Sequence, residues 1–278
     1  MISLEYIIFA CAVICLAVGT FTGVAPLTGR ARRRPGASRV CATAGILFFT
    51  SFLVSRGFRH GGLPLTTSAE VLSFAAWSIW VCYFVSRVDD AEGGTGPLCL
   101  VPALVFACAA VPGLSGRAGE IPEFFSKPLF VVHVVPAFLG YGAFAVGFVS
   151  SMVYLFQEKQ LKNKSLGALT SRLPSLECLE ASNYRMISWG FVLFTISLAC
   201  GIVLAISTDI WADTAWKSDP KIAASCLTWF IYAVLFFVRR SGSLRGRLVA
   251  CISIAGFVLV MISFVGIRLL SSGAHTFT

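Results

Sequence analysis

Three histidines and a cluster of tryptophans carry most of the chemistry available to this chain. Between Trp211 and Trp229 runs WADTAWKSDPKIAASCLTW, a short polar segment set between two long apolar runs. His133 lies well upstream of it, and His275 lies almost at the C-terminus. Neutral imidazole is a ligand for iron, and indole offers a flat apolar face. Tryptophan with an Asp-Pro-Lys turn beside a membrane-length helix suggests a site at the membrane surface. Something large, flat and aromatic would be held there between two imidazoles, and haem is the candidate. The blander alternative for Trp211 and Trp216 is the aromatic belt that tryptophan forms at membrane interfaces in any case. For His133 it is an interfacial residue at the outer end of a helix, and for His275 a solvated tail.

The elements that must position these groups are apolar. Of 278 residues 57% are hydrophobic and 13% charged, and the mean hydropathy is +0.84. A soluble domain of this length carries roughly twice that charged fraction. The chain therefore reads as an all-α, polytopic membrane helical bundle, a single unit over 1–278 with no separate soluble domain. Eight spans are expected, at about 6–27, 40–56, 69–86, 97–114, 129–157, 187–206, 222–238 and 248–270. The stretch before the sixth, LKNKSLGALTSRLPSLECLEASNYR, reads as the longest inner loop, with leucines suited to a short amphipathic surface helix. Pro220 suits the first position of the seventh helix, with Asp219 as its cap. Gly140, Gly142 and Gly147 are packing glycines.

Basic residues are unevenly shared among the loops. Arg30, Arg32, Arg33, Arg34 and Arg39 follow the first span, and Arg87 the third. Lys159, Lys162, Lys164, Arg172 and Arg185 follow the fifth, and Arg239, Arg240, Arg245 and Arg247 the seventh. The positive-inside rule then places both termini outside. His60, His133, the 211–229 segment and His275 fall together on that outer face, which reads as one outward-facing site.

The same patterns exclude other classes. The net charge of +9 follows topology, not a nucleic-acid footprint. Ten cysteines fall mostly inside apolar runs, and none forms a Cys-x-x-Cys pair. Zinc, thioredoxin-like and covalent haem-attachment motifs thus lack support. The N-terminal apolar run lacks a positive leading region, carries Glu5, and reads as a retained first span. A secondary transporter would place ionisable groups or broken helices near mid-membrane, and the span interiors read as nearly free of both.

Three stretches resemble the cytochrome c assembly family of membrane haem-handling proteins, which includes the CcsA, ResC, CcmC and HemX-like proteins. They are GGLPLTTSAEVLSFAAW (61–77), HVVPAFLGYGAFAVGFVSSMVYLFQEKQLK (133–162), and the region from 173 through WKSDPK and TWFIYA to SGAHTFT (272–278). The resemblance implies that His133 and His275 are the two histidines flanking the family's WWD segment, the axial ligands of haem b. It matches Asp219, Pro220 and Lys221 to the Asp-Pro-Lys turn, and Trp216 and Trp229 to family tryptophans. The haem-site segment then runs from about 129 to 275. The chain departs from the pattern with Ser218 before the Asp and Ile222 after the Lys, and Trp211 is one place out of register. His60 stands in for an earlier family histidine. Lys217, Lys221, Arg56 and Arg59 are candidates for haem propionates, with interface snorkelling as the alternative.

The resemblance further implies a haem-binding subunit of cytochrome c maturation. It would work with a CcsB-like membrane partner and with apocytochrome c, in membrane lipid and without nucleic acid, as part of a possible haem lyase. A HemX-like role in haem biosynthesis is the alternative, and a secondary transporter the more remote one.

Overall fold

A computed structural model describes residues 4–29, 35–86, 96–114, 128–164, 169, 172–207, 220–242 and 246–266. Eight helices follow in order: α1 (Leu4–Val24), α2 (Pro35–His60), α3 (Ser68–Ser86), α4 (Leu100–Ala110), α5 (Pro128–Lys162), α6 (Leu176–Ser207), α7 (Pro220–Arg240) and α8 (Arg247–Met261). Short 3-10 turns flank α4, and α8 continues into a π-turn over Ile262–Gly266. Among the described residues eight helical segments are long and apolar enough to cross a membrane, matching the expected number of spans, and the protein is an integral multi-pass membrane protein.

In lipid, apolar burial does not drive helices together, so close packing and polar contacts must do it. The α5–α6 pair uses small residues. A Cβ on Gly140 would stand 3.2 Å from the Gly190 carbonyl oxygen, and one on Gly190 would collide with the Phe144 ring at 2.5 Å. Gly142 serves α3 in the same way, since a Cβ there would lie 2.6 Å from the Ser78 carbonyl oxygen. These contacts bear out the packing role expected for Gly140 and Gly142. Phe144 in turn stacks face to face on Tyr232 of α7, centroids 3.5 Å apart. On the other flank, the fully buried Trp80 ring of α3 occupies the space above Gly45 of α2 and meets Phe49 edge-on.

Polar contacts tie the helices at depth. The Asn183 amide donates toward the Gly147 carbonyl (2.9 Å), the Ser151 hydroxyl (2.7 Å) and the Ser253 hydroxyl (3.2 Å), joining α6 to α5 and α8. Its two hydrogens are shared among three acceptors.

The start of α6 differs from expectation. The helix begins at Leu176, not near 187, and takes in Leu176 and Leu179 of that stretch. The Ser175 hydroxyl accepts the Cys178 N–H at 3.2 Å, an N-cap that starts the helix early. Leu179 is buried against Val153, Tyr154 and Ala250. Leu179 thus packs on α5 and α8.

The two ends of the bundle differ in charge. At one end arginines cover helix C-termini: Arg172 donates to the Pro26 carbonyl (2.7 Å) and Arg185 to the Ser86 carbonyl (3.1 Å). Cations are favourable there because carbonyls of a helix's last turn keep free acceptor capacity and the helix dipole is negative. Arg239 pairs with Glu180 at 3.3 Å and lies over the Tyr184 ring. Because Arg185 meets the last residue of α3, the turns of α6 from Leu176 to Tyr184 project beyond the end of α3.

Candidate functional site

The opposite end collects the start of α1, the end of α2, the starts of α3, α5 and α7, and the end of α6. His60 and His133 both lie there. His60 is the last residue of α2. His133 is in the second turn of α5, whose first residue is Pro128. A proline at the first helical position loses no intrahelical bond. Pro136, one turn on, cannot give the Val132 carbonyl its usual N–H, so the helix is weakest beside His133.

His133 is held by α6. Its Nδ1 is 2.8 Å from the Ser197 carbonyl oxygen and 3.4 Å from the Ser197 hydroxyl. A carbonyl oxygen only accepts, so Nδ1 carries the hydrogen and, in the neutral ring, Nε2 carries the lone pair. Gly201, one turn along α6, makes room for the ring. A Cβ there would stand 2.7 Å from His133 Cε1 and 2.9 Å from Nδ1. Neither Ser197 nor Gly201 stood out in the sequence. Two small residues four apart on an apolar helix are the only trace such a seat leaves, and packing leaves the same trace.

α7 is tied down around this point. The Trp229 indole N–H donates to the Thr195 hydroxyl of α6 at 2.9 Å and its ring meets Phe191. α7 begins at Pro220, as its first-position proline predicted. Phe138 of α5 meets Phe264 of the α8 π-turn edge-on at 6.1 Å. The segment bearing Trp211, Trp216, Lys217 and Asp219, and the tail bearing His275, lie outside the described residues. Their anchors do not: Ser207 and Pro220 bound the first, Gly266 precedes the second, and all stand at the His133 end.

His60 has different company. The Glu70 carboxylate, fully buried, caps α3: Oε2 accepts from the Thr66 N–H (2.9 Å), the Thr66 hydroxyl (2.8 Å) and the Thr67 N–H (3.2 Å), while the Thr67 hydroxyl accepts the Glu70 N–H (3.3 Å). That reciprocal pattern is a capping box. Oε1 lies 2.8 Å from Arg56 Nε and 3.4 Å from His60 Nε2. Neither contact is an aligned hydrogen bond, so the one with Arg56 is an interaction of charge and the one with His60 a matter of proximity. A further Arg56 nitrogen donates to the Leu114 carbonyl at 3.3 Å, and the Tyr6 hydroxyl donates to the same oxygen at 3.2 Å. Arg59 pairs with Glu5 at 2.8 Å, and the Ser55 hydroxyl donates to Glu5 as well.

These contacts correct part of the sequence reading. Arg56 does not snorkel: it is buried and engaged by Glu70. Arg59 keeps a side chain 60% exposed, but beside Glu5. The span ends hold two buried ionisable groups, Glu5 and Glu70. His60 rests against Glu70 and His133 against Ser197.

Among the described residues, no three His, Cys, Asp or Glu side chains converge as a metal site. Residues 69–275 match the family described as Cytochrome C assembly protein. The chain belongs to that family.

Curated relatives agree. It is 27% identical to cytochrome c biogenesis protein CcsA of Synechococcus sp. (strain CC9902), over 88% of this chain and 87% of that protein. The protein of the same name from Prochlorococcus marinus (strain MIT 9303) is 28% identical over 83% of this chain and 80% of its own length. The Zea mays one is 26% identical, with coverages of 82% and 81%.

Proposed function

We propose that this member of the family is a haem-handling membrane subunit of cytochrome c maturation. It would hold haem b at the outer membrane face for covalent attachment to apocytochrome c. The carrying observation is the His133 geometry. An imidazole whose Nδ1–H is committed to a backbone carbonyl at 2.8 Å presents the nitrogen that ligates iron, in a fixed ring orientation. Membership of the family and the relatives' shared name, cytochrome c biogenesis protein CcsA, support the client.

His275 is the proposed second axial ligand, with Trp211 and Trp216 as the platform and Asp219 as the cap that sets the turn into α7. His60 is the third imidazole of the same face. The basic loops after the first, third, fifth and seventh spans favour an outward site. The single unit 1–278 works with a CcsB-like membrane protein in this reading. Haem supplies the vinyl groups to which the client's cysteine thiols add, each S–H going across one C=C bond. The chain's residues supply orientation. A HemX-like role, holding haem without a cytochrome client, is the second reading. It is favoured by Ser218 standing where the family carries tryptophan.

The test is the visible spectrum of detergent-purified protein beside His133→Ala and His275→Ala. A Soret band that shifts or is lost in both variants is expected. A wild-type protein colourless even after haem addition would sink the reading. Thioether formation on a co-expressed apocytochrome c, lost in both variants, would decide for maturation over the HemX-like role.

A further inference from the structure

We propose that Gly201 and the Ser197 backbone carbonyl are positioning residues for the iron ligand, selecting the tautomer and tilt of His133 before haem arrives. The inference rests on the reading of His133 as a ligand. Within α6 the Ser197 carbonyl already accepts the Gly201 N–H, by the i to i+4 pattern of the helix. His133 Nδ1 takes a second lone pair of that oxygen at 2.8 Å. Gly201 thus acts twice. Its N–H holds the carbonyl in place, and its missing side chain leaves the gap in which the ring lies.

The alternatives for this geometry are weaker. A histidine that only capped α5 would bond its own helix or the solvent, not a carbonyl 64 residues away on another helix. Gly140 and Gly142 face backbone, and Gly45 and Gly190 face apolar rings; Gly201 faces an imidazole. The Ser197 hydroxyl, at 3.4 Å, is too long for a strong bond, so the working acceptor is main chain. The acceptor is therefore independent of residue type at 197, whereas the gap at 201 requires glycine.

The experiment uses the full chain in detergent, with nitrogen-15-labelled histidine and with haem titration. The three histidines are assigned by single substitution. Wild-type His133 is expected to show one neutral tautomer, protonated at Nδ1, in the haem-free protein. Gly201→Ala pushes the ring off the carbonyl, so its spectrum should move to mixed tautomers. Its haem affinity should fall about 10–100-fold, as for loss of other outer-shell partners of metal ligands. Ser197→Ala keeps the carbonyl and should change neither.

A haem-free wild type protonated at Nε2 overturns the inference even if Gly201→Ala fails to assemble. So does a folded Gly201→Ala protein with unchanged affinity while His133→Ala loses haem, and in that case the ligand reading survives. If His133→Ala binds haem as tightly as wild type, the ligand reading itself falls and takes the inference with it.

Discussion

The Glu70 carboxylate shows how a single charge is kept inside this bundle. A buried carboxylate is costly unless compensated, and removing one partner of such a pair strands the other. Arg56→Ala should therefore lower stability by about 3–5 kcal/mol, read from thermal or denaturant unfolding in detergent. A double Arg56→Met, Glu70→Gln variant should recover much of that loss, because Gln keeps the cap and neither charge remains. A double variant as unstable as the single would show that the pairing itself holds the fold. Half of this arrangement was legible in the sequence. Thr67 followed three residues on by Glu70, before an apolar run, is a capping-box signature. The Arg56 contact was not, because an arginine near a span end reads equally well as snorkelling. The His133 seat was hidden for a stronger reason: its partner is a backbone carbonyl, and every residue has one.

At the level of elements, hydropathy found all eight helices, since composition and length suffice for a membrane span. Boundaries were harder where a helix runs past the apolar zone. α6 begins with Leu-Glu-Cys-Leu-Glu, too polar for a span, yet Ser175 caps it and Leu179 is buried against α5 and α8. Contacts between helices were legible only as a tendency of glycines to cluster. The structure says which neighbour each one faces. Gly142→Ala should be destabilising by about 1–3 kcal/mol, because its new methyl meets the rigid backbone of Ser78. Gly147→Ala, whose Cβ would make ordinary contacts at 3.6 Å and beyond, should be near neutral. Thermal unfolding of the two variants side by side checks the difference. Equal melting temperatures would mean that α3 and α5 are free to move apart.

For the whole molecule, the arginine-rich end and the histidine-rich end stand on opposite sides of the bundle. Which side faces the cytoplasm is open to a direct check. Cys178 lies near the start of α6 at the arginine end. A membrane-impermeant maleimide should label it in inverted vesicles and not in right-side-out ones, with Cys178→Ser as the subtraction. The reverse pattern would turn the proposed site inward. The α5–α6 hairpin gives that measurement a further meaning. α5 has 35 residues and α6 has 32; at 1.5 Å per residue each is about 50 Å long, against about 30 Å of hydrocarbon. α3, with 19 residues, is about 28 Å and fits that thickness. A lone helix with surplus length tilts to hide it. This pair is locked to α3 through Gly142 and Arg185 and has no such freedom. The excess has to stand in water, and its height above the lipid is fixed by acyl-chain length. In a thinner bilayer more of this hairpin would stand clear of the hydrocarbon, and in a thicker one less.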